Sequence, residues 1–364
     1  MEFDYNPYNH LPDEAFWKLA VAGRKPLQIN GLWKPKFQIQ TQDVISTAGS
    51  CFAQHIGAAL RARGYNWQDS EPAPDLLRHS EELRKAYNYG IFSFRTGNIY
   101  TVALLQQWIQ WSLQPVTAPV EIWCSPEGRY YDLFRPNIEP QGFLSEAEAL
   151  ESRASTLRAI KRGLENTDIF VFTLGLTEAW MNSQQGYVYP MCPGTIAGEF
   201  DTSQHQFKNF NYLEIYTTLQ ATLEQLKTIN PKMRFLLTVS PVPLTATASG
   251  KHVLTATSHS KSILRAVAGE LELTREDTDY FPSYEIISAF PFRGHFYAEN
   301  LRSVRPQGVN FVMNSFFACQ ESALASSPAT SQAVTIFQES TLLTKALKQE
   351  EEVCEDVLLE RFKS

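Results

Sequence analysis

The sequence predicts an α/β fold, a three-layer sandwich around a central parallel sheet of about five strands. Two observations carry this. Residues 44–66 pass from a β-branched start (Val44, Ile45) through the small residues Ala48, Gly49 and Ser50 into a segment with Phe52, Ile56, Ala59 and Leu60 at helical spacing, so strand, tight turn and helix follow one another. Further on, helical stretches deliver short uninterrupted apolar runs at residues 168–175 and 233–239, the mark of strands covered on both faces.

Composition narrows the function classes. The 364 residues, 43% of them hydrophobic, suffice for a sizeable core. A net charge of −7 and the lack of a Lys/Arg-rich tract leave no phosphate-neutralising face, so nucleic acid is not an expected partner. The five cysteines (Cys51, Cys124, Cys192, Cys319, Cys354) are widely spaced and form no C-x-x-C pair, which argues against a disulfide framework and a zinc knuckle. Reduced thiols in a cytoplasmic protein are expected, with no metal and no cofactor. Neither a basic-then-apolar leader nor a run of about eighteen apolar residues is present, so no signal peptide and no membrane span are expected.

Residues 1–37, rich in aromatics but without periodicity, read as an arm packed on the domain. The domain itself is expected over 38–315, with inserted loops at about 120–145 and 184–210. Ser50 falls at the carboxyl end of the first strand, the edge that faces the ligand crevice in an open parallel sheet, with the positive end of a helix behind it. The alternative is that Ser50 only caps that helix. Residues 80–87 read as a short helix, and residues 89–100 alternate aromatic and polar side chains up to Gly97 and Asn98, which suit a turn. Residues 102–113 have helical spacing, and residues 145–166 open with a serine cap followed by Glu146 and Glu148. The strand at 168–175 leads into Leu176, Thr177 and Glu178 at the same sheet edge. Residues 184–206 read as a long loop or hairpin covering that edge, 212–230 and 258–268 as helices, and 280–287 as a strand. Residues 316–364 form a polar segment and a charged helix, a candidate oligomer element.

The string Gly49-Ser50-Cys51-Phe52-Ala53 resembles the signature of the GSCFA family, a branch of the SGNH (GDSL-like) hydrolases. The blocks FSFRTGNIYT, VFTLGLTEAW, YPMCPGT, TVSPVPL and YFPSYEII extend the resemblance over residues 38–313. It implies a flavodoxin-like sheet order with Ser50 as nucleophile of an esterase or O-acyltransferase. The substrate would be an acyl ester of a small molecule or carbohydrate. The resemblance places oxyanion or substrate-binding roles on Cys51, Gly97 or Asn98, Gly175 and Thr177; Thr177 stands where the superfamily usually has an asparagine. Asn300 and Ser303 occupy the places of its usual aspartate and histidine, so the base must come from elsewhere. His252 is preferred over His295, because relatives carry a histidine shortly before a Ser-Lys pair, here Ser260-Lys261. A serine hydroxyl needs such a base, held by an acid, and Glu285 or Glu178 is the candidate acid. For Glu285 the alternative is an ion pair with an arginine such as Arg293 or Arg302. Two other readings stay open: Cys51 as the nucleophile, and a non-catalytic ligand- or glycan-binding protein on the same fold.

Overall fold

The structure, a computed structural model, describes residues 6–114, 116–324, 358–359 and 362. After 3-10 and π turns in the arm come β1 (Ile45–Gly49), α1 (Phe52–Ala62), α2 (Asp75–Arg78), α3 (Glu81–Ala86), α4 (Val102–Leu113), β2 (Trp123–Cys124), β3 (Tyr130–Tyr131) and α5 (Glu146–Asn166). The second half holds β4 (Ile169–Leu174), β5 (Glu178–Asn182), β6 (Val188–Tyr189), β7 (His205–Asn209), α6 (Tyr212–Ile229), β8 (Arg234–Val239), α7 (Val253–Thr274), β9 (Thr278–Tyr280), α8 (Ser283–Ser288) and α9 (Pro306–Leu324).

The central sheet runs β1-β4-β8-β9, all parallel, with Ile45 opposite Ile169 and Ile169 opposite Arg234. A single parallel bridge from Ile45 to Trp67 adds a fifth position outside β1. Counted with that bridge, the chain order across the sheet is 2-1-3-4-5, the flavodoxin-like arrangement. Successive residues of a strand point to opposite faces. Phe170, Phe172 and Leu174 therefore enter one core, which also holds residues of α4, α6 and α7. Ile169 and Val171 enter the other, shared with α1, α8 and α9. Helices on both faces give the three layers.

The local signals explain the helix ends. The Ser145 and Thr101 hydroxyls cap α5 and α4, and Asn211 with Glu214 forms a capping box on α6. In three places the structure departs from the expectation. Helix α7 begins at Val253, five residues before the predicted start, which puts His252 at its N-cap. The block at 280–287 is not a strand beyond Tyr280; Pro282 ends it and α8 follows. Helix α9 runs through the expected domain limit at 315, since Val309, Val312, Met313, Phe316 and Phe317 all enter the core. The arm is tied to the domain: Trp33 Nε1 and the Lys36 amide donate to Asp279, and the Ile39 amide to Gln320. The expected charged C-terminal helix lies outside the described residues, apart from Leu358, Leu359 and Phe362. Among the described residues no helix is long and apolar enough to cross a membrane.

Both insertions are built structures. The first carries the β2–β3 hairpin and is fastened by Asp132, fully buried between Arg135 (2.8 Å) and Arg153 (2.6 Å). Burial works to raise the Asp132 pKa, but Arg153 and Arg135 outweigh it and hold the carboxyl below its usual range. The second is a three-stranded antiparallel sheet, β6-β5-β7, over the stretch read as a covering loop or hairpin.

Asp132→Asn would leave two buried guanidinium groups without their counter-charge, so a loss of about 3–5 kcal/mol is predicted by urea unfolding. Because the folded pKa is depressed, this stabilisation is present at neutral pH and fades as pH falls through the folded value. The wild-type advantage over the variant should therefore shrink in acid.

Candidate active site

The site begins where β1 stops. Gly49 has φ 134°, and a Cβ there would lie 2.4 Å from the Thr173 carbonyl oxygen, so only glycine fits. The Ser50 amide makes one more ladder bond, 3.1 Å to Thr173 O, and the chain then turns into α1, with the Ser50 carbonyl accepting from the Ala53 amide at 2.8 Å. Ser50 is 2% exposed, and its Oγ has no hydrogen-bond partner among the described residues. The helix-cap alternative is thereby removed: the N-cap position is Cys51, and no side chain caps α1.

Strand β4 runs on past this point. Its Leu174 carbonyl accepts from the Ser240 amide on the β8 side at 2.8 Å. In a trans peptide the following N–H points the opposite way, so Gly175 N–H faces the β1 side, where Ser50 lies. It finds no acceptor among the described residues. A Cβ on Gly175 would meet Tyr100 O at 2.8 Å and Ser50 Cβ at 3.0 Å, so glycine is what lets this amide approach the serine.

Residues 93–100 lie along β1. The Ile99 amide donates to Gly49 O at 2.8 Å, and Tyr100 O accepts from the Leu176 amide at 2.8 Å. Asn98 is 1% exposed and its Oδ1 faces Gln54 Nε2 at 3.4 Å, which fixes the carboxamide beside the first turn of α1. Gly97 takes the left-handed turn conformation, as its sequence context suggested. Thr177 is fully buried; its amide donates to Ser260 Oγ at 3.1 Å and its own Oγ1 is unpartnered. The structure thus gathers Ser50, Cys51, Gly97, Asn98, Gly175 and Thr177 around one sheet edge. The Ser50 amide is spent on Thr173 O, whereas the Gly175 amide, one residue beyond β4, faces the β1 side.

The expected base and acids are not assembled with them. His252 is exposed, and its Nδ1 accepts from the Leu254 amide as the N-cap of α7. No histidine nitrogen lies within hydrogen-bond distance of Ser50 Oγ. Glu285, expected in a strand, sits in the first turn of α8. Its oxygens hold Arg265 Nε (2.6 Å) and the Tyr280 hydroxyl (2.8 Å), an arginine pair formed with Arg265 and not with Arg293 or Arg302. Glu178 accepts from Thr247 Oγ1 at 2.8 Å; burial pushes its carboxyl up, opposed by that hydrogen bond and by His259. Asn300 and Ser303 bond each other in a surface turn.

A cavity of about 520 Å³ opens beside this edge; Tyr100 and Leu176 are among its walls, and Ser50 itself does not line it. Trp180 anchors its aromatic side, packed edge-on against Phe200 (5.0 Å) and Phe207 (5.6 Å). Glu178 and Thr247 are its polar wall, and Leu359 and Phe362 sit on its rim. Cys192 also lines it, with its thiol pushed up to about 11 by burial and so held protonated. Sequence reasoning placed a cover here but gave no sign of the cavity, because its walls come from four separate stretches of chain, at residue 100, 176–207, 244–248 and 359–362.

A protein-family model, that of the GSCFA family, matches residues 44–316 of the chain. No curated protein and no solved structure matches it.

An unpartnered buried hydroxyl contributes desolvation cost and no bond. Ser50→Ala should therefore leave the unfolding free energy unchanged or raise it by up to about 1 kcal/mol in urea titration. A loss of more than about 1 kcal/mol would mean that the hydroxyl has a structural partner.

Proposed function

The chain belongs to the GSCFA family, and from that premise we propose that it is a serine-dependent esterase or O-acyltransferase of the SGNH type. Its substrate is an acyl ester, carried on a carbohydrate or another small alcohol. The observation that carries this reading is the pairing of a buried, unpartnered Ser50 Oγ with an outward-facing Gly175 amide. Ser50 attacks the acyl carbonyl and forms the tetrahedral adduct. Gly175 N–H and the Asn98 carboxamide meet the oxygen on which charge develops, and the positive end of α1 lies behind it. In this reading His252 leaves the α7 cap, carries its proton on Nδ1 and takes the serine proton on Nε2, and Glu178, on the polar wall of the cavity, is the acid behind it, since Glu285 is held by Arg265 and Tyr280. The cavity beyond Tyr100 and Leu176 receives the apolar part of the ester. Water as acceptor gives hydrolysis, and a second alcohol gives acyl transfer.

A second reading, a non-catalytic binder on the same fold, is favoured by one observation: the places of the usual aspartate and histidine are filled by Asn300 and Ser303, which bond each other and the Arg302 amide within one surface turn.

A fluorophosphonate probe separates the two. Labelling of Ser50 in the wild type, lost in Ser50→Ala, is the result expected of the esterase; a folded wild type that stays unlabelled favours the binder. With p-nitrophenyl esters, kcat/KM should rise about fourfold per methylene from acetate to hexanoate as the chain fills the cavity, following about 0.8 kcal/mol for each buried CH₂.

A further inference from the structure

The second insertion sets an acid at the end of an aromatic row. Residues two apart on a strand share a face, so Glu178 and Trp180 of β5 project together into the cavity that both line. The register places Trp180 between Tyr189 on β6 and Phe207 on β7, and these two residues line the cavity as well. Phe200 closes on the Trp180 ring edge-on at 5.0 Å.

Among the described residues, no lysine, arginine or histidine lines this cavity, and Glu178 is its one charged side chain. The carboxylate accepts from Thr247 Oγ1 at 2.8 Å, and His259, exposed on α7 and outside the lining, bears on it only through space. Burial pushes the carboxyl up, so a positive charge inside the cavity would offset what that burial costs.

The walls decide which cation fits. A divalent metal wants several oxygen ligands, and the described residues hold no group of three metal-ligating side chains. A primary ammonium is strongly hydrated and brings three donors, for which walls of rings and aliphatic side chains offer few acceptors. A quaternary ammonium has no N–H to satisfy and is held by ring faces, tryptophan best of all.

We propose that this cavity binds a quaternary ammonium group, seated between the Glu178 carboxylate and the Trp180 ring. The two residues stand about 6.6 Å apart along the strand, so one trimethylammonium group can touch both side chains. The site does not need Ser50 to react. In the serine reading the ammonium belongs to the part of the ester that enters the cavity, and a carboxylate that orients His252 keeps the charge the ammonium needs.

The test is calorimetric titration of the wild type and of Glu178→Gln with choline and with its neutral isostere 3,3-dimethylbutan-1-ol. The wild type should bind choline about tenfold more tightly than the alcohol, the scale of a desolvated cation–π contact. E178Q keeps an acceptor for Thr247 and removes the charge; its affinity for choline should fall about tenfold, with the alcohol within about twofold of wild type. Equal affinities of the wild type for the two compounds, a folded E178Q that keeps the preference, or no saturable binding of choline overturns the inference. Should E178Q fail to fold, the wild-type comparison decides alone. A wild type that fluorophosphonate leaves unlabelled but that prefers choline sinks the serine reading and leaves this site standing, whereas a labelled wild type without the preference sinks only the ammonium site.

Discussion

Between Gly49 and Gly175 the parallel ladder of β1 and β4 ends unevenly, and the rest of the site follows from that. Gly49 lets β1 press against the Thr173 backbone, Ser50 makes one last bond across, and the chain then leaves for α1. Beyond β4 the chain goes on to Gly175, whose amide has no ladder partner from β1. One edge is left with a hydroxyl and an amide that secondary structure would normally consume. In an open parallel sheet this is the edge where ligands bind, and here the reason is visible atom by atom.

The polar groups of the molecule divide into two kinds. Between the first insertion and α5, Asp132, Arg135, Arg153 and Thr156 form one hydrogen-bonded network that extends to Glu71, Arg95 and Ser152, and such a network specifies a single packing arrangement. At the sheet edge, Ser50 Oγ and Thr177 Oγ1 are as deeply buried yet lack partners. Each buried unpaired group costs free energy, and at this edge Ser50 Oγ stands where the sheet meets α1, free to react. Bonds from Tyr100, Ser260 and the buried Lys261 to residues 175–177 hold the edge in place without consuming the Ser50 hydroxyl or the Gly175 amide.

Local signals made much of the fold legible. The uninterrupted apolar runs gave β4 and β8, because strands covered on both faces carry no alternation. The Ser145 cap with its acids gave the start of α5. What the sequence could not show was decided by distant contacts. Glu285 looked like a strand residue because Tyr280 and Phe281 precede it, yet Pro282 and the fit of Ile286 and Ile287 into the α9 core make it helical. His252 looked like a loop histidine near the serine, but α7 starts one residue later and takes its Nδ1 as a cap. Ser50, Asn98 and Gly175 could be named from the resemblance. That the Gly175 amide faces outward could not, since it depends on where Ser240 bonds the preceding carbonyl. Lys261 gave no signal of burial in its own stretch of chain; its surroundings are supplied by the loop after β4.

The account is tested most directly by an experimental structure of the protein after reaction with a fluorophosphonate. It predicts a covalent bond from phosphorus to Ser50 Oγ, with the phosphonyl oxygen about 2.9 Å from the Gly175 nitrogen. A label carried by Cys51 or any other residue, or a phosphonyl oxygen turned away from Gly175, would contradict it.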